Sequence, residues 1–275
     1  MPPTQNKIDY RKFFYSLGLE LTTGSQLQGD CLFCERDSHF FVSPQTGQWD
    51  CKLCGETGNA WTFLTAVHKL FLSQTNDDHY AELSESRGIK PETLKHQELV
   101  KSPINDRWLI PVHNPEGKLT NLYNAIPTES GGYNLISLPT PCSQLLYRAH
   151  TIKKTHTHVW VLEGQWDTLL WLESLASLAP TNSAFKLKGR PNFSNEILKT
   201  NAIVGVPGAT TFKAEWAKLL KDKHVILLYD NDEAGGKGIA RVTKILCESK
   251  QQPSSLQKLQ WGEDEPNDVR DLLYV

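Results

Sequence analysis

The sequence lacks any run of about 18 apolar residues, and its start, Met1 to Lys12, has no apolar signal core. Neither a membrane span nor export is expected, so the expected location is cytoplasmic and no membrane partner is expected. An excess of one charge sign is also missing: 29 Lys and Arg stand against 31 Asp and Glu, a formal net charge of -2. No global field draws the chain onto nucleic acid, so a polyanionic partner must be held by local patches. Internal repeats and low-complexity tracts are absent, which removes coiled-coil and collagen-like classes. The G-x-x-x-x-G-K-[ST] pattern is absent too, so no P-loop ATPase motor is encoded. What remains is a chain of 275 residues, 39% hydrophobic, 22% charged and 9% aromatic, long enough for one large or two modest domains.

Six cysteines without an export signal do not read as a disulfide framework, because cytosolic thiols stay reduced. Four of them form Cys31-Leu32-Phe33-Cys34 and Cys51-Lys52-Leu53-Cys54, with sixteen residues between the pairs. Two knuckles separated by about 15 to 20 residues have zinc-ribbon spacing. Each knuckle presents two thiolates to one side, and the intervening segment can form a hairpin that completes a tetrahedron. His39 to Val42 is β-prone, Ser43 to Gly47 carries turn chemistry, and Gln48-Trp49-Asp50 leads back. Four thiolates leave no open position, so the expected Zn²⁺ is single and structural, and His39 is a hairpin surface residue. Trp49 and Phe41 either stack on unpaired bases or form the small domain's own core. After Gly55 to Asn59, Trp61, Leu64, Thr65, His68, Phe71 and Leu72 recur at helical spacing and predict a helix packed on the ribbon. Cys142 and Cys247 read as ordinary buried residues.

Residues 76–103 read as a linker with short helices, and Trp108 to Val112 and Leu119 to Tyr123 as two strands joined by a turn. From about residue 155 strands and helices alternate. Strands are expected at Val159 to Leu162, Ala202 to Val206, Val225 to Tyr229 and Leu256 to Trp261. Helices are expected at Asp167 to Leu178, Phe212 to Leu220, Lys237 to Cys247 and Asn267 to Leu273. Such alternation predicts an α/β fold with a parallel sheet covered by helices.

Ligands of such sheets bind outside the carboxyl ends of the strands. Glu163 ends the first strand, Asp167 lies one helical turn on, Asp230 and Asp232 follow the third strand, and Glu263 to Asp268 follow the last. Carboxylates converging on one edge repel unless a cation sits among them, and this ligand chemistry suits Mg²⁺ and phosphoryl transfer. For Asp230 and Asp232 the competing role is turn formation and helix capping.

Together, Glu163-Gly164 after one strand, Asp230-Asn231-Asp232 with Ala234-Gly235 and Lys237 after another, and the upstream cysteine knuckles resemble the zinc-ribbon plus Toprim DNA primases. These include bacterial replicative primases and phage helicase-primases, and the resemblance covers most of the chain. It implies a Toprim core, Rossmann-like with a parallel sheet, behind an N-terminal zinc-ribbon β domain. The implied domains are a template-binding ribbon at 1–75, the linker at 76–103, the N-terminal subdomain of the RNA polymerase domain at 104–154 and Toprim at 155–275. Glu163, Asp230 and Asp232 are implied to be catalytic. The implied ligands for Mg²⁺ or Mn²⁺ are Glu163, Asp167, Asp230 and Asp232, with a third position at Glu265 or Asp268. In that last motif Asp264 and Glu265 stand where the family pattern has Lys and Asp.

Nucleotide or template contacts are expected from Arg107, Lys118, Arg148, Lys237 and Trp49, with Lys153, Lys154, Lys186, Lys188 and Arg190 as further cations. The implied activity is RNA primer synthesis on single-stranded DNA from ribonucleoside triphosphates, by nucleotidyl transfer, in a bacterial or phage-infected cell. No helicase domain is recognised in the chain, so a replicative helicase would be a separate partner. A zinc-containing recombination mediator of the RecR type, or a non-catalytic single-strand-binding accessory protein, is the alternative. The roughly 100 residues between the ribbon and the Toprim core exceed the short link of such mediators.

Overall fold

The computed structural model describes residues 8–129, 131–177, 197–259 and 268–270. These fall into two compact units. The first takes the chain through Tyr80 together with Leu94–Val112 and Lys118–Gln144; the second takes Ala81–Thr93, His113–Gly117 and the chain from Leu145 onward.

In the first unit, helix α1 (Arg11–Ser16) precedes a four-stranded antiparallel sheet of very short strands: β1 (Leu27–Gly29), β2 (Phe40–Val42), β3 (Trp49–Cys51) and β4 (Thr57–Gly58), in the order β1-β2-β3-β4. Helix α2 (Ala60–Gln74) starts directly after it. Asn59 accepts hydrogen bonds from the backbone N–H groups of Trp61 (3.0 Å) and Thr62 (3.1 Å), and the Thr62 hydroxyl accepts from the Asn59 N–H (2.8 Å). This reciprocal cap satisfies amide groups that the first turn would leave unpaired.

The buried stripe of α2 is Ala60, Phe63, Leu64, Val67, His68 and Phe71. It is turned by about one residue from the stripe expected from sequence: Trp61 is half-buried and Thr65 exposed. The reason is the partner that α2 meets. Phe63 sits among Phe14, Phe33, Phe40 and Trp49, with ring centroids 5.0, 5.9, 5.5 and 5.2 Å away.

Helices α3 (Asp77–Arg87) and α4 (Pro91–His96) lead to a second antiparallel sheet of β5 (Val100–Lys101), β6 (Trp108–His113), β7 (Leu119–Pro127) and β8 (Tyr133–Ser137), in sequential order. Val100, Leu109, Leu119, Leu122 and Leu138 share one hydrophobic core with the ribbon aromatics and α2. The ribbon therefore does not pack as a body with its own core, because α2 is covered by the ribbon and by the β5–β8 sheet. Residues 76–103 carry the expected short helices, α3 and α4, and are divided between the two units. Lys90 of the Ala81–Thr93 segment bonds Glu173 through its backbone N–H (2.8 Å) and its ammonium group (3.5 Å).

The second unit is built on a four-stranded parallel sheet: β9 (His158–Glu163), β10 (Asn201–Val206), β11 (His224–Leu228) and β12 (Ser255–Lys258), ordered β10-β9-β11-β12. Helices α5 (Gln165–Ser177), α6 (Ile197–Thr200) and α7 (Glu233–Glu248) connect them. The expected alternation and the parallel α/β sheet are present. The helix expected at Phe212 to Leu220 is a tighter 3₁₀ segment, Ala214–Leu219, entered from an extended Lys213 without a side-chain cap. The expected helix at Asn267 to Leu273 and the end of the last strand fall largely outside the described residues.

Truncating Phe63, which is fully buried, should cost about 3–5 kcal/mol. Denaturant unfolding of Phe63→Ala and of Thr65→Ala, two residues on and on the exposed side, measures this; the second should change stability by less than about 0.5 kcal/mol.

Candidate active site

The cysteine pairs fold as matched knuckles. The N–H of Glu35 bonds the Cys31 carbonyl (2.9 Å), and the N–H of Gly55 bonds the Cys51 carbonyl (3.1 Å). Both closing residues are left-handed, Glu35 at φ 56° and Gly55 at φ 78°. The four Sγ atoms lie within 4.8 Å of one another, with Cys31 and Cys54 at 3.9 Å and Cys34 and Cys51 at 3.8 Å. Sulfurs tetrahedrally placed about 2.3 Å from a central ion stand about 3.8 Å apart. The donor set and its spacing thus fit a closed four-thiolate metal centre. Burial pushes the Cys31 thiol up to about 12. Burial acts in the same sense on Cys51, but the N–H groups of Cys54 and Leu53 outweigh it and hold that thiol at about 7. His39 is exposed, as expected.

Trp49 does not offer a surface for bases. It is only 3% exposed, it stacks on Phe33 at 5.3 Å, and its indole N–H donates to the Asn59 carbonyl (2.9 Å). The ring is needed by the core, which is the second of its two sequence readings. Phe41, half-buried, borders an open groove with Asp50, Lys52 and Asn59.

In the second unit the chain leaves β9 toward β10 on one side, while β11 lies on the other. The gap between β9 and β11 is therefore the topological switch point where parallel sheets bind ligands. Leu162 and Leu228 are paired across it, which brings Glu163 beside the Tyr229-Asp230 turn. Glu163 accepts backbone N–H groups of Asp230 and Ala209, so strand β11 and the Pro207-Gly208-Ala209 loop both hold it. Gly164 has φ +95°, and a Cβ there would stand 3.0 Å from the Asp167 carboxylate. Glycine lets the chain turn so that α5 carries Asp167 back toward the strand end. Asp232 caps α7 through Gly235 N–H (2.7 Å), so the capping role weighed from sequence is real for its Oδ1.

Glu163, Asp167, Asp230, Asp232 and Asp268 form one electrostatically coupled group. Burial first and the negative neighbours second push Asp230 up to about 8; burial and then Asp268 push Asp167 up to about 7. Burial and Asp232 also raise Glu163. Glu163 Oε2 and Asp230 Oδ1 are buried with no hydrogen-bond partner. Such oxygens want a cation, and these carboxylates fit a hard divalent ion. Among the described residues they do not converge into a three-ligand cage like that of the cysteines. Mg²⁺ takes one or two carboxylates and keeps other positions for water and phosphate. Glu265, Lys186, Lys188 and Arg190 lie outside the described residues.

The expected cations are not equivalent. Arg148 is corrected to a structural residue: it is 8% exposed, left-handed at φ 61°, and its Nε donates to the Ile203 carbonyl (3.2 Å). Lys237 is exposed at the start of α7 and pairs with Glu233 (2.6 Å). Lys118, Lys153 and Lys154 are exposed and Arg107 is half-buried. Arg87, which sequence reasoning missed, faces the acidic group. Its guanidinium stacks 5.0 Å from the centre of the Trp166 ring and pulls the Asp167 carboxyl down against the other influences. A lone arginine in a polar helix carries no sequence signal; only the packing of 81–93 in this unit reveals it.

A family model described as Toprim-like matches residues 186–270, which contain Asp230, Asp232 and Asp268. The chain thus carries a Toprim-like domain with a four-cysteine centre upstream. Its fold is that of the DNA primase catalytic cores. The Escherichia coli primase catalytic core aligns over 78% of this chain and 76% of its own at 15% identity, with a TM-score of 0.54. The DnaG primase catalytic domain bound to single-stranded DNA aligns over 78% and 74% at 15% identity and a TM-score of 0.53. A primase domain from Pseudomonas aeruginosa aligns over 78% and 74% at 15% identity and 0.50. No curated protein sequence matches the chain.

Removing one thiolate should open the cysteine centre. Cys51→Ser is expected to lose bound metal, quantified by mass spectrometry, while retaining the far-ultraviolet signature of the parallel unit. The carboxylates give a pH dependence of stability. Asp167 and Asp230 have folded values of about 7 and about 8, against an unfolded value of about 4. Their protonation stabilises the fold fully below the unfolded value, and that contribution is lost as pH rises through 7 and 8. Without divalent ions the melting temperature should therefore fall over this window. Asp230→Asn should melt about 2–4 °C above the parent at the alkaline end and lose the stabilisation that Mg²⁺ gives.

Proposed function

We propose that the protein is a DNA primase that synthesises short RNA primers on single-stranded DNA. The observation that carries this reading is the pair of buried, unpartnered carboxylate oxygens of Glu163 and Asp230 at the switch point, with Asp167, Asp232 and Asp268 around them. Beside it stands the four-thiolate centre, read as a single structural Zn²⁺. Primase catalytic cores with this fold, one of them bound to single-stranded DNA, support the assignment.

In this reading Asp230 and Asp232 hold Mg²⁺ or Mn²⁺, with Asp167, Asp268 and Glu265 as further ligands. Divalent ions held there would supply Lewis-acid chemistry, lowering the pKa of the attacking 3′-hydroxyl and offsetting the charge of the leaving pyrophosphate. Glu163 is fixed by the N–H groups of Asp230 and Ala209, which leaves Oε2 poised at the edge to take the hydroxyl proton or to ligate an ion. Arg87 balances part of the negative charge at Asp167 before substrate arrives. Substrates are ribonucleoside triphosphates, met in the second unit by Lys237 from α7; Arg107 and Lys118 are nucleotide or template contacts of the first unit. Phe41 and Lys52 on the ribbon groove take the template role once assigned to Trp49. A replicative helicase is the expected protein partner.

The test combines purified protein, single-stranded DNA, labelled ribonucleotides and Mg²⁺ or Mn²⁺. Short oligoribonucleotides are expected, with Asp230→Ala and Glu163→Gln each reducing the rate by about 100-fold or more. Binding of single-stranded DNA without any product on varied templates would favour the recombination-mediator reading and sink this one.

A further inference from the structure

The amino-terminal edge of the parallel sheet, opposite the carboxylates, carries a row of polar residues in register. Asn201 of β10 pairs with His158 of β9, His158 with His224 of β11, and His224 with Ser255 of β12. In-register residues of parallel strands point to the same face, and neighbouring strands lie about 4.8 Å apart. The imidazoles of His158 and His224 keep that spacing: their centroids are 4.9 Å apart and their planes are tilted by 31°. His158 is half-buried and His224 exposed.

Each ring is anchored by one nitrogen only. His158 Nδ1 lies 2.8 Å from the Thr157 hydroxyl, and His224 Nδ1 lies 2.8 Å from the Ser255 hydroxyl. The Thr157 hydroxyl also lies 3.4 Å from the Thr200 carbonyl; with the Thr157 oxygen as acceptor, His158 carries its proton on Nδ1. A neutral imidazole with Nδ1 protonated has its lone pair on Nε2. Hydroxyl anchors of this kind orient metal-binding histidines and set their tautomer.

From this juxtaposition we infer that His158 and His224 form a further metal site, a bidentate imidazole pair for a transition-metal dication such as Zn²⁺, Ni²⁺ or Cu²⁺. Water completes the coordination. Two nitrogens about 2.1 Å from one ion stand about 3.0–3.4 Å apart, so binding requires the two Nε2 atoms to come within that distance. Imidazole pairs prefer these ions to Mg²⁺, which seeks oxygen donors. The two edges of one sheet therefore sort cations by hardness, independently of any polymerase activity.

The experiment titrates Ni²⁺ into the full chain with the cysteine centre loaded and Mg²⁺ in excess to occupy the carboxylate edge. Calorimetry should show one additional Ni²⁺ per chain, and the ring proton signals of His158 and His224 should broaden selectively in nuclear magnetic resonance spectra. His158→Gln and His224→Gln should each abolish this uptake, and Ser255→Ala should weaken it by about tenfold. Metal retained at the cysteines and an unchanged melting temperature show that the variants remain folded. Uptake that persists in the double histidine variant, or no Ni²⁺ beyond the cysteine-bound ion, overturns the assignment.

Discussion

The parallel pairing of β9 with β11 is the constraint on which the candidate site depends. Glu163 and Asp230 are far apart in sequence, yet the register that sets Leu162 against Leu228 leaves both acids at one strand end. Like charges would not gather there unaided; burial and the negative neighbours push both carboxyl groups up from their ordinary values. The sheet supplies the compensating energy through continuous apolar strands, with Val159, Val161, Val204, Val206, Val225 and Leu227 packed in one core. The site is thus a strained electrostatic arrangement borne by a hydrophobic one, and a divalent ion relieves it.

The first unit solves a different problem. Strands of three residues or fewer cannot hold a sheet together by hydrogen bonding alone. In the ribbon two cross-ties do so instead: the four-thiolate centre and the aromatic cluster around Phe63, which share one core. Trp49 belongs to β3, which ends in a metal-binding cysteine, and its indole also reaches back to the cap of α2. The same residue cannot both close that core and offer its face to bases.

Local spacing made part of this legible in advance. The cysteine intervals marked the metal centre, strand–helix alternation marked the parallel sheet, and acids following apolar strands marked its ligand edge. The stripe on α2 was misplaced by a residue because periodicity locates a face only to within one position, whereas the Phe63 contacts select it. Arg148 looked like a surface cation, since nothing in its neighbours signals that Tyr147 would pair with Gly205 and draw Arg148 inward. Arg87 was invisible for the converse reason. Its role arises from the packing of the 81–93 segment within the unit that holds α5.

The sequence by itself determined the chemical types available: four thiolates at ribbon spacing, apolar strands and acids placed at their ends. These are local properties, encoded in spacing and side-chain chemistry. The tertiary structure alone decided which groups meet. It joined Glu163 to Asp230 across the switch point, turned Trp49 and Arg148 inward, brought Arg87 to Asp167, and aligned His158 with His224 on the opposite edge. Strand order and register set these encounters, and both depend on long-range burial that no short window of residues contains.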